Sequence, residues 1–371
     1  MSIAVFLPTL WIGGAEKLHV YLINEWIKAG HEVELIVLFD STHNIDVESL
    51  IDERCKKTFL NLKSYKHSIF SLIKFFYKNK HDFFLVPMWP LTIIAIFAWM
   101  LNGCVGKIII SEHTNISASS SAEINTPLFL IKLSIFIFYR FANGIIAVSK
   151  GVKNDIENLG KINSDKIKVI YNPSALGIIK PTQKELKLYS ESLWKPKYKF
   201  KFLGVGSLKE QKNFSLLIEA FSKLEPEILA DSQLIILGDG PLMQDLLSQV
   251  NNSQLSDQIS LPGRVLNPYP WFQSANVFVL SSSWEGFGNV LVEALECSLP
   301  IVSTDCLSGP SEILLDGLYG KLVPVNDADA LSKGMHFSLT AKHDLQKLYQ
   351  RSQDFTVQKI SSQYLQYFQN Q

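Results

Sequence analysis

The sequence predicts two doubly wound α/β domains, each a parallel sheet with helices on both faces. Three observations predict it. The chain has 371 residues, long for one domain and comfortable for two. Short β-rich apolar runs alternate with longer helical patterns along its whole length. Those runs are continuously apolar rather than alternating, as strands buried on both faces require.

In the first half the predicted strands are 3–7, 32–39, 83–86, 107–110, 144–148 and 166–170. Helical patterns at 15–29, 67–78, 91–101 and 128–141 separate them. The second half repeats the alternation, with strands at 200–205, 233–237, 258–261, 277–280, 300–303 and 321–325. Between the halves, Pro173 and Pro181 interrupt a polar, Lys-rich stretch. The predicted division is a first domain over 1–172, a linker over 173–196, a second domain over 197–340 and a Gln-rich helical tail over 341–371. Two such sheets leave a cleft between them, and ligands bind beyond the carboxyl ends of the strands. Chemistry is therefore sought in the loops that follow each strand.

Basic and acidic residues balance at 35 each, so no global field points to nucleic acid. The four cysteines, Cys55, Cys104, Cys297 and Cys306, form no metal-ligand spacing and suit a reducing cytoplasm. The first residues reach Pro8 with no basic segment, which reads as a strand rather than a signal peptide. The most apolar window, 83–101, is about long enough to span a bilayer. Pro87 and Pro90 break it, however, and a buried strand followed by a buried helix explains it better.

The segment richest in chemistry is 281–295, Ser-Ser-Ser-Trp-Glu-Gly-Phe-Gly-Asn-Val-Leu-Val-Glu-Ala-Leu. A buried strand ends in serines, and Glu285, Gly286 and Gly288 then open a helix that carries Glu293. The glycines clear space for a ligand against the backbone, and the free N–H groups at the helix start suit a diphosphate. Glu285 and Glu293 are eight residues apart, roughly 12 Å of rise if both lie on the helix. A hydrolase pair needs about 5–10 Å across one glycosidic bond. The spacing fits two carboxylates gripping different parts of one extended ligand instead.

Glu285-x7-Glu293 resembles the E-x7-E signature of retaining GT-B glycosyltransferases of family 4. The resemblance covers nearly the whole chain. It includes the loop of Gly13, Gly14, Ala15 and Glu16, the stretch from Ser111 to Asn115, Tyr171-Asn-Pro, Gly204 to Leu208 with Lys212 and Asn213, Gly238 to Pro241, and Ser308 to Glu312. The stretch Asp305 to Pro310 is similar to members that build bacterial surface glycans and lipid-linked oligosaccharides. It implies the GT-B fold, two facing Rossmann-like domains with a C-terminal helix crossing back. It implies that Glu293 holds the ribose hydroxyls, and that Glu285 with the backbone of Gly286, Phe287, Gly288, Asn289 and Val290 holds the sugar and phosphate. Lys212 then pairs with the diphosphate, the backbone at Arg264 and Val265 reads the base, and Gly13 and Gly14 close over the phosphates.

Two residues have independent physical support. Lys212 precedes Asn213, a helix-capping residue type, at the mouth of a strand, where a cation stabilises a departing diphosphate. His113 follows the apolar run 108–110 and so sits at a strand's carboxyl end, where a neutral imidazole can accept a sugar hydroxyl or orient the acceptor. A loop histidine bonded to local backbone is the other reading. The sequence departs from the family at Ser207, where many members carry Arg, and at Ser298, where Gly is usual. Lys209 or Arg264 are the alternative cations. Asp327-Ala-Asp329 reads as a helix start rather than a metal site, and no metal is required. Gly204 to Lys209 lacks the third glycine of a dinucleotide fingerprint, which argues against a dehydrogenase.

Residues 56–80 hold seven lysines and no acid, with apolar residues at helical spacing beside Lys66, Lys74 and Lys78. This is either a sheet-covering helix or one lying on an anionic membrane. The stretch 128–141 is apolar on nearly every side, either a buried helix or an acceptor and membrane contact. The expected activity is transfer of a hexose or N-acetylhexosamine from a nucleotide-sugar, UDP-linked, to a glycan or lipid-linked acceptor. The expected place is the cytoplasm or the inner membrane face. An epimerase, a phosphorylase and a non-catalytic nucleotide-sugar-binding subunit are the alternatives.

Overall fold

The structure, a computed structural model, describes residues 1–10, 14–39, 45–120 and 126–371, without the side chains of residues 45, 46 and 66. Its strands form two sheets. The first is built from β1 (Ser2–Leu7), β2 (Glu32–Phe39), β3 (Lys56–Leu62), β4 (Phe83–Pro87), β5 (Lys107–Glu112), β6 (Gly144–Ala147) and β7 (Ile167–Val169). Its order is β3-β2-β1-β4-β5-β6-β7. The second contains β8 (Phe200–Val205), β9 (Ser232–Leu237), β10 (Ile259–Gly263), β11 (Val277–Leu280), β12 (Ile301–Thr304) and β13 (Lys321–Val323), ordered β10-β9-β8-β11-β12-β13. Every strand pairing in both is parallel.

β4 and β9 are buried at every residue, which is why their sequences carry no polar alternation. The strand order reverses between β1 and β4 in one sheet and between β8 and β11 in the other. Such switch points open a crevice at the carboxyl ends of the two strands concerned, where ligands bind in open α/β sheets.

The chain divides into two compact units, Met1–Pro173 with Val357–Gln371, and Ser174–Thr356. The final helix, Val357–Gln369, therefore belongs to the first unit. Its Tyr364 and Phe368 pack on Trp26 at 5.9 and 5.6 Å between ring centres. All three are fully buried, worth about 1.5–3 kcal/mol per aromatic side chain.

Three expectations need correction. Residues 174–196 are not a free linker, because they pack within the second unit. Just past Pro181, Thr182 and Glu185 form a capping box that starts the helix Gln183–Leu193. Trp194 is then buried and donates from Nε1 to Ser274 Oγ at 2.9 Å. The tail is likewise not one element. Helix Leu345–Ser352 lies in the second unit, and only Val357–Gln369 lies in the first. Finally, the basic stretch from residue 56 begins with a strand, β3, that the sequence reading did not include, before the expected helix. Its lysines sit there because β3 is a sheet edge, where charge discourages pairing with another chain. Lys56 Nζ and Thr58 Oγ1 anchor it on buried Glu34 at 3.0 and 2.7 Å.

Residues 83–101 form β4 and the helix Leu91–Leu101. Among the described residues no helix is long and apolar enough to cross a membrane.

Candidate functional site

The second unit gathers its chemistry at its switch point. β8 ends at Val205 and β11 at Leu280, side by side, and the loops that follow bring Lys212 and Glu285 together. Lys212 Nζ donates to Glu285 Oε1 at 2.5 Å, and both side chains are largely shielded from solvent. Ser282 Oγ donates to the same carboxylate oxygen at 2.7 Å, and Gln211 Nε2 approaches the other at 3.4 Å. Backbone contacts fix the pair. Ser283 N donates to Gln211 O at 2.8 Å, and Ser281 Oγ to Lys212 O at 2.8 Å. Asn213 takes a left-handed turn, φ 44°, and caps the helix Phe214–Ser222 by accepting from Leu216 N. That cap aims the preceding lysine back over the strand ends.

Glu285 and Glu293 do not share a helix, so the rise between them does not set their separation. Glu285 lies in the loop, its N–H on Leu307 O, and only Glu293 lies on the helix Asn289–Glu296, half-buried. Gly288 opens this helix at φ 99°, a conformation L side chains rarely adopt. The other predicted donor residues have mixed surroundings. Phe287 is buried with its ring 5.5 Å from Phe355, which leaves its backbone rather than its side chain for a ligand. Asn289 Oδ1 accepts from Ser174 Oγ at 2.9 Å, while Gly286 is buried and Val290 half-buried. Ser207 is exposed beyond β8, with Oγ on Asp239 O at 3.4 Å. Arg264 is exposed and Val265 half-buried just past β10. Ser298 holds φ 58°, a left-handed backbone state that favours glycine.

In the first unit His113 stands one residue past β5. Its Nε2 lies 3.2 Å from Ser111 Oγ, and its ring centre 4.9 Å from that of His19. Burial, with the His19 ring beside it, holds His113 well below the usual imidazole range, so it is neutral at pH 7. Glu112 beside it is buried and accepts from Tyr139 Oη, Trp89 N and Thr92 Oγ1. Burial pushes its carboxyl up to about 7 against those donors. Gly14 opens the helix Gly14–Lys28 and is exposed, while Gly13 falls outside the described residues. No group of three or more His, Cys, Asp or Glu is placed to hold a metal among the described residues, and Asp327 caps the helix Ala328–Thr340 instead.

Two family profiles match adjoining parts of the chain. That described as Glycosyltransferase Family 4 covers residues 12–174, and Glycosyl transferases group 1 covers 187–355. The chain belongs to glycosyltransferase family 4. This glycosyltransferase is 29% identical, over 99% of both chains, to the N-acetylgalactosamine-N,N'-diacetylbacillosaminyl-diphospho-undecaprenol 4-alpha-N-acetylgalactosaminyltransferase of Campylobacter jejuni. It is 26% identical, over 98% of its length and 97% of the other, to a second Campylobacter jejuni enzyme, a GalNAc-alpha-(1->4)-GalNAc-alpha-(1->3)-diNAcBac-PP-undecaprenol alpha-1,4-N-acetyl-D-galactosaminyltransferase. Its fold matches that of Anabaena HepE in complex with UDP, with a TM-score of 0.84 over 100% of both chains at 16% identity. The GT-B architecture expected from the E-x7-E resemblance is thus the one observed.

Sequence reasoning missed several residues of the glycosyltransferase. Gln211 and Ser282 complete the Glu285 shell, and nothing in their local sequence marks them. Glu296 is nearly fully buried and accepts from Leu176, Gly177 and Ile178 N–H at 3.0, 2.6 and 3.1 Å. It pins the incoming chain beside the Asn289–Glu296 helix.

The outer surface of the first unit bears on two readings that the sequence left open. Helix Tyr65–Lys78 buries Phe75 and Phe76 on the sheet against Phe6 and Phe84, as a sheet-covering helix does. It leaves Phe70, Lys74, Tyr77 and Lys78 exposed, while the Lys66 side chain is outside those described. Helix Leu128–Phe138 is not buried: only Ile131 and Ile135 turn inward, and Phe129, Leu133 and Phe136 face solvent.

Proposed function

We propose that this glycosyltransferase moves a hexose or N-acetylhexosamine from a UDP-sugar to a glycan or lipid-linked acceptor, retaining the anomeric configuration. The observation that carries the reading is the Lys212–Glu285 pair at the β8/β11 switch point, beside the N-terminus of the helix Asn289–Glu296. In this reading the ammonium and the helix N–H groups take the diphosphate, where negative charge grows as the bond to the sugar breaks. Glu285 holds the sugar, Glu293 the ribose hydroxyls, and the backbone near Arg264 and Val265 the base. The sugar C1–phosphate oxygen bond breaks, a C1–acceptor oxygen bond forms on the same face, and the acceptor proton passes to the departing diphosphate. His113, neutral, accepts a hydrogen bond from a substrate hydroxyl. The charge on the diphosphate is met by Lys212 and the helix, with no call for a metal.

The test uses the purified chain. A UDP-hexose or UDP-N-acetylhexosamine present at a hundredfold its Kd is expected to stabilise the folded form by about 2.7 kcal/mol, seen as a raised Tm. Nucleotide is expected to be released only when acceptor is also present. A flat Tm across UDP-, GDP- and ADP-sugars overturns the reading, and release without acceptor points to hydrolysis or epimerisation instead.

We infer the acceptor's setting from three helices of the first unit, Tyr65–Lys78, Leu91–Leu101 and Leu128–Phe138. The middle one packs against the other two, and none of the three contains Asp or Glu. Exposed aromatic and aliphatic side chains stand beside Lys74 and Lys78, which favours an anionic membrane face. It also agrees with the undecaprenyl-linked substrates named for the Campylobacter relatives. Each basic residue near such a surface contributes about 1 kcal/mol. Replacing Lys74 and Lys78 by Gln is therefore expected to weaken co-sedimentation with phosphatidylglycerol vesicles roughly thirtyfold, at about 2 kcal/mol in all. Unchanged partitioning removes the membrane from the proposal.

A further inference from the structure

Met88, Trp89 and Pro90 follow β4 directly, at the carboxyl end of a strand where the first sheet reverses its order. Met88 takes φ 61°, a left-handed state uncommon for a residue other than glycine. Strained backbone of this kind persists only where its surroundings fix it, and it gathers at ligand sites. Here the fixing bonds are explicit. Met88 N donates to Ser111 O at 2.8 Å, and Trp89 N donates to Glu112 Oε2 at 3.3 Å. The indole is anchored separately, with Nε1 donating to Ser134 Oγ at 3.1 Å. Trp89 is half-buried, so it keeps some surface open beside the crevice.

Glu112 is the unusual member of this group. It is 1% exposed, and no ion pair reaches it among the described residues. Its other oxygen, Oε1, takes the hydroxyl of Tyr139 and, at 3.5 Å, that of Thr92, and both residues are fully buried. The two hydroxyls are themselves 2.9 Å apart. A carboxyl in this setting is costly, and an apolar side chain of similar size would fill the core alone. What the carboxyl adds is direction. One oxygen takes the backbone of the turn after β4. The other takes Thr92, from the helix Leu91–Leu101, and Tyr139, which follows the helix Leu128–Phe138. A single side chain at the end of β5 thus fixes the turn against both helices.

We propose that Glu112 is a positioning residue for the acceptor: by accepting the Trp89 N–H it holds the turn after β4, so that the Trp89 ring forms one wall of the first unit's crevice. A flat apolar ring suits the C–H face of a pyranose, and its N–H is already taken by Ser134, so packing rather than hydrogen bonding recognises the sugar. The ligand is the carbohydrate of the acceptor. That role rests on the transfer reaction proposed above; the hold on the turn does not.

Four single variants and one double variant test it. Glu112→Leu keeps a side chain of similar size and removes both acceptors. Glu112→Gln keeps an oxygen for the Trp89 N–H, while its amide can donate to the Thr92 or Tyr139 hydroxyl. Trp89→Ala removes the ring, and Ser134→Ala removes its second anchor. Transfer is measured at saturating UDP-sugar with the acceptor varied, and KM and kcat are read separately. Glu112→Leu is expected to raise the acceptor KM about tenfold, the scale of one hydrogen bond to an ionised group, with Glu112→Gln close to wild type. The Tm shift with UDP-sugar is expected to be kept in every variant. Glu112→Leu combined with Trp89→Ala is expected to match Trp89→Ala alone, because the carboxyl acts through the ring. Additive penalties, or an unchanged acceptor KM in a folded Glu112→Leu, overturn the proposal while the proposed reaction stands. Should Glu112→Leu not fold, Ser134→Ala decides: about a threefold rise in acceptor KM is expected, and no rise removes the ring from the acceptor site. Hydrogen exchange at the Trp89 amide gives a readout independent of turnover. It is expected to be slow in the wild type and in Glu112→Gln and faster in Glu112→Leu. Equal exchange in the wild type and Glu112→Leu overturns the proposal even if the wild type transfers no sugar, a result that by itself would refute the proposed reaction.

Discussion

Lys212→Ala is expected to lower kcat by about 10²–10³-fold, the range for removing one preorganised group from a developing charge. The side chain stands 2.5 Å from Glu285 at the mouth of the second sheet. The exposed Ser207 offers only a hydroxyl that already reaches Asp239 O. The variant also leaves the Glu285 carboxylate shielded from water, with Ser282 and Gln211 as its side-chain donors among the described residues. Some loss of stability therefore accompanies the loss of rate, as when one partner of a buried pair is removed. Turnover is measured at a temperature where circular dichroism shows the variant folded, with donor binding followed by the Tm shift. Unchanged kcat in a folded Lys212→Ala contradicts the assignment of the leaving-group cation.

What the sequence disclosed and what it hid divide along a physical line. The strands of the second sheet were legible because each is a short, continuously apolar run between turn residues, and a parallel sheet needs that pattern. The meeting of Lys212 with Glu285 was legible because chemistry in open α/β sheets concentrates just past strand ends and at helix starts. β3 was not legible: its burial alternates and its lysines look like a helix's polar face, since an edge strand has one side to keep in solvent. Nor were Gln211 and Ser282, whose roles arise only when loops from β8 and β11 meet. His19 was hidden for the same reason, because its neighbour is 94 positions away in the chain. The expected helix after Glu285 and the two glycines is present, and its start is set by one residue. Gly288 turns left-handed, and the helix starts only after it.

Gly309→Ala is expected to disrupt the second unit and with it donor binding. Gly309 follows β12 and takes φ 101°, a region closed to most side chains. A Cβ there would stand 1.7 Å from Phe287 O, a backbone atom that no rotamer change can move aside. The close approach is how the loop after β12 braces the segment 286–288 from behind. Gly238 does the same on the other side of β8, where a Cβ would meet Gly206 O at 1.8 Å. Strain at such a φ alone costs about 1–3 kcal/mol, and the clash adds the displacement of Phe287. Phe287 cannot move freely, since its ring is buried against Phe355. A loss on the order of 3 kcal/mol is therefore expected, roughly 6–12 °C in Tm for a domain of this size. The surviving folded fraction is expected to respond weakly to UDP-sugar. Gly317→Ala is the control: its φ of 96° carries the same backbone strain, but an added Cβ meets nothing nearer than 3.6 Å. If Gly309→Ala costs no more stability than Gly317→Ala and keeps its full nucleotide-induced Tm shift, the brace between Gly309 and Phe287 does not shape the donor site.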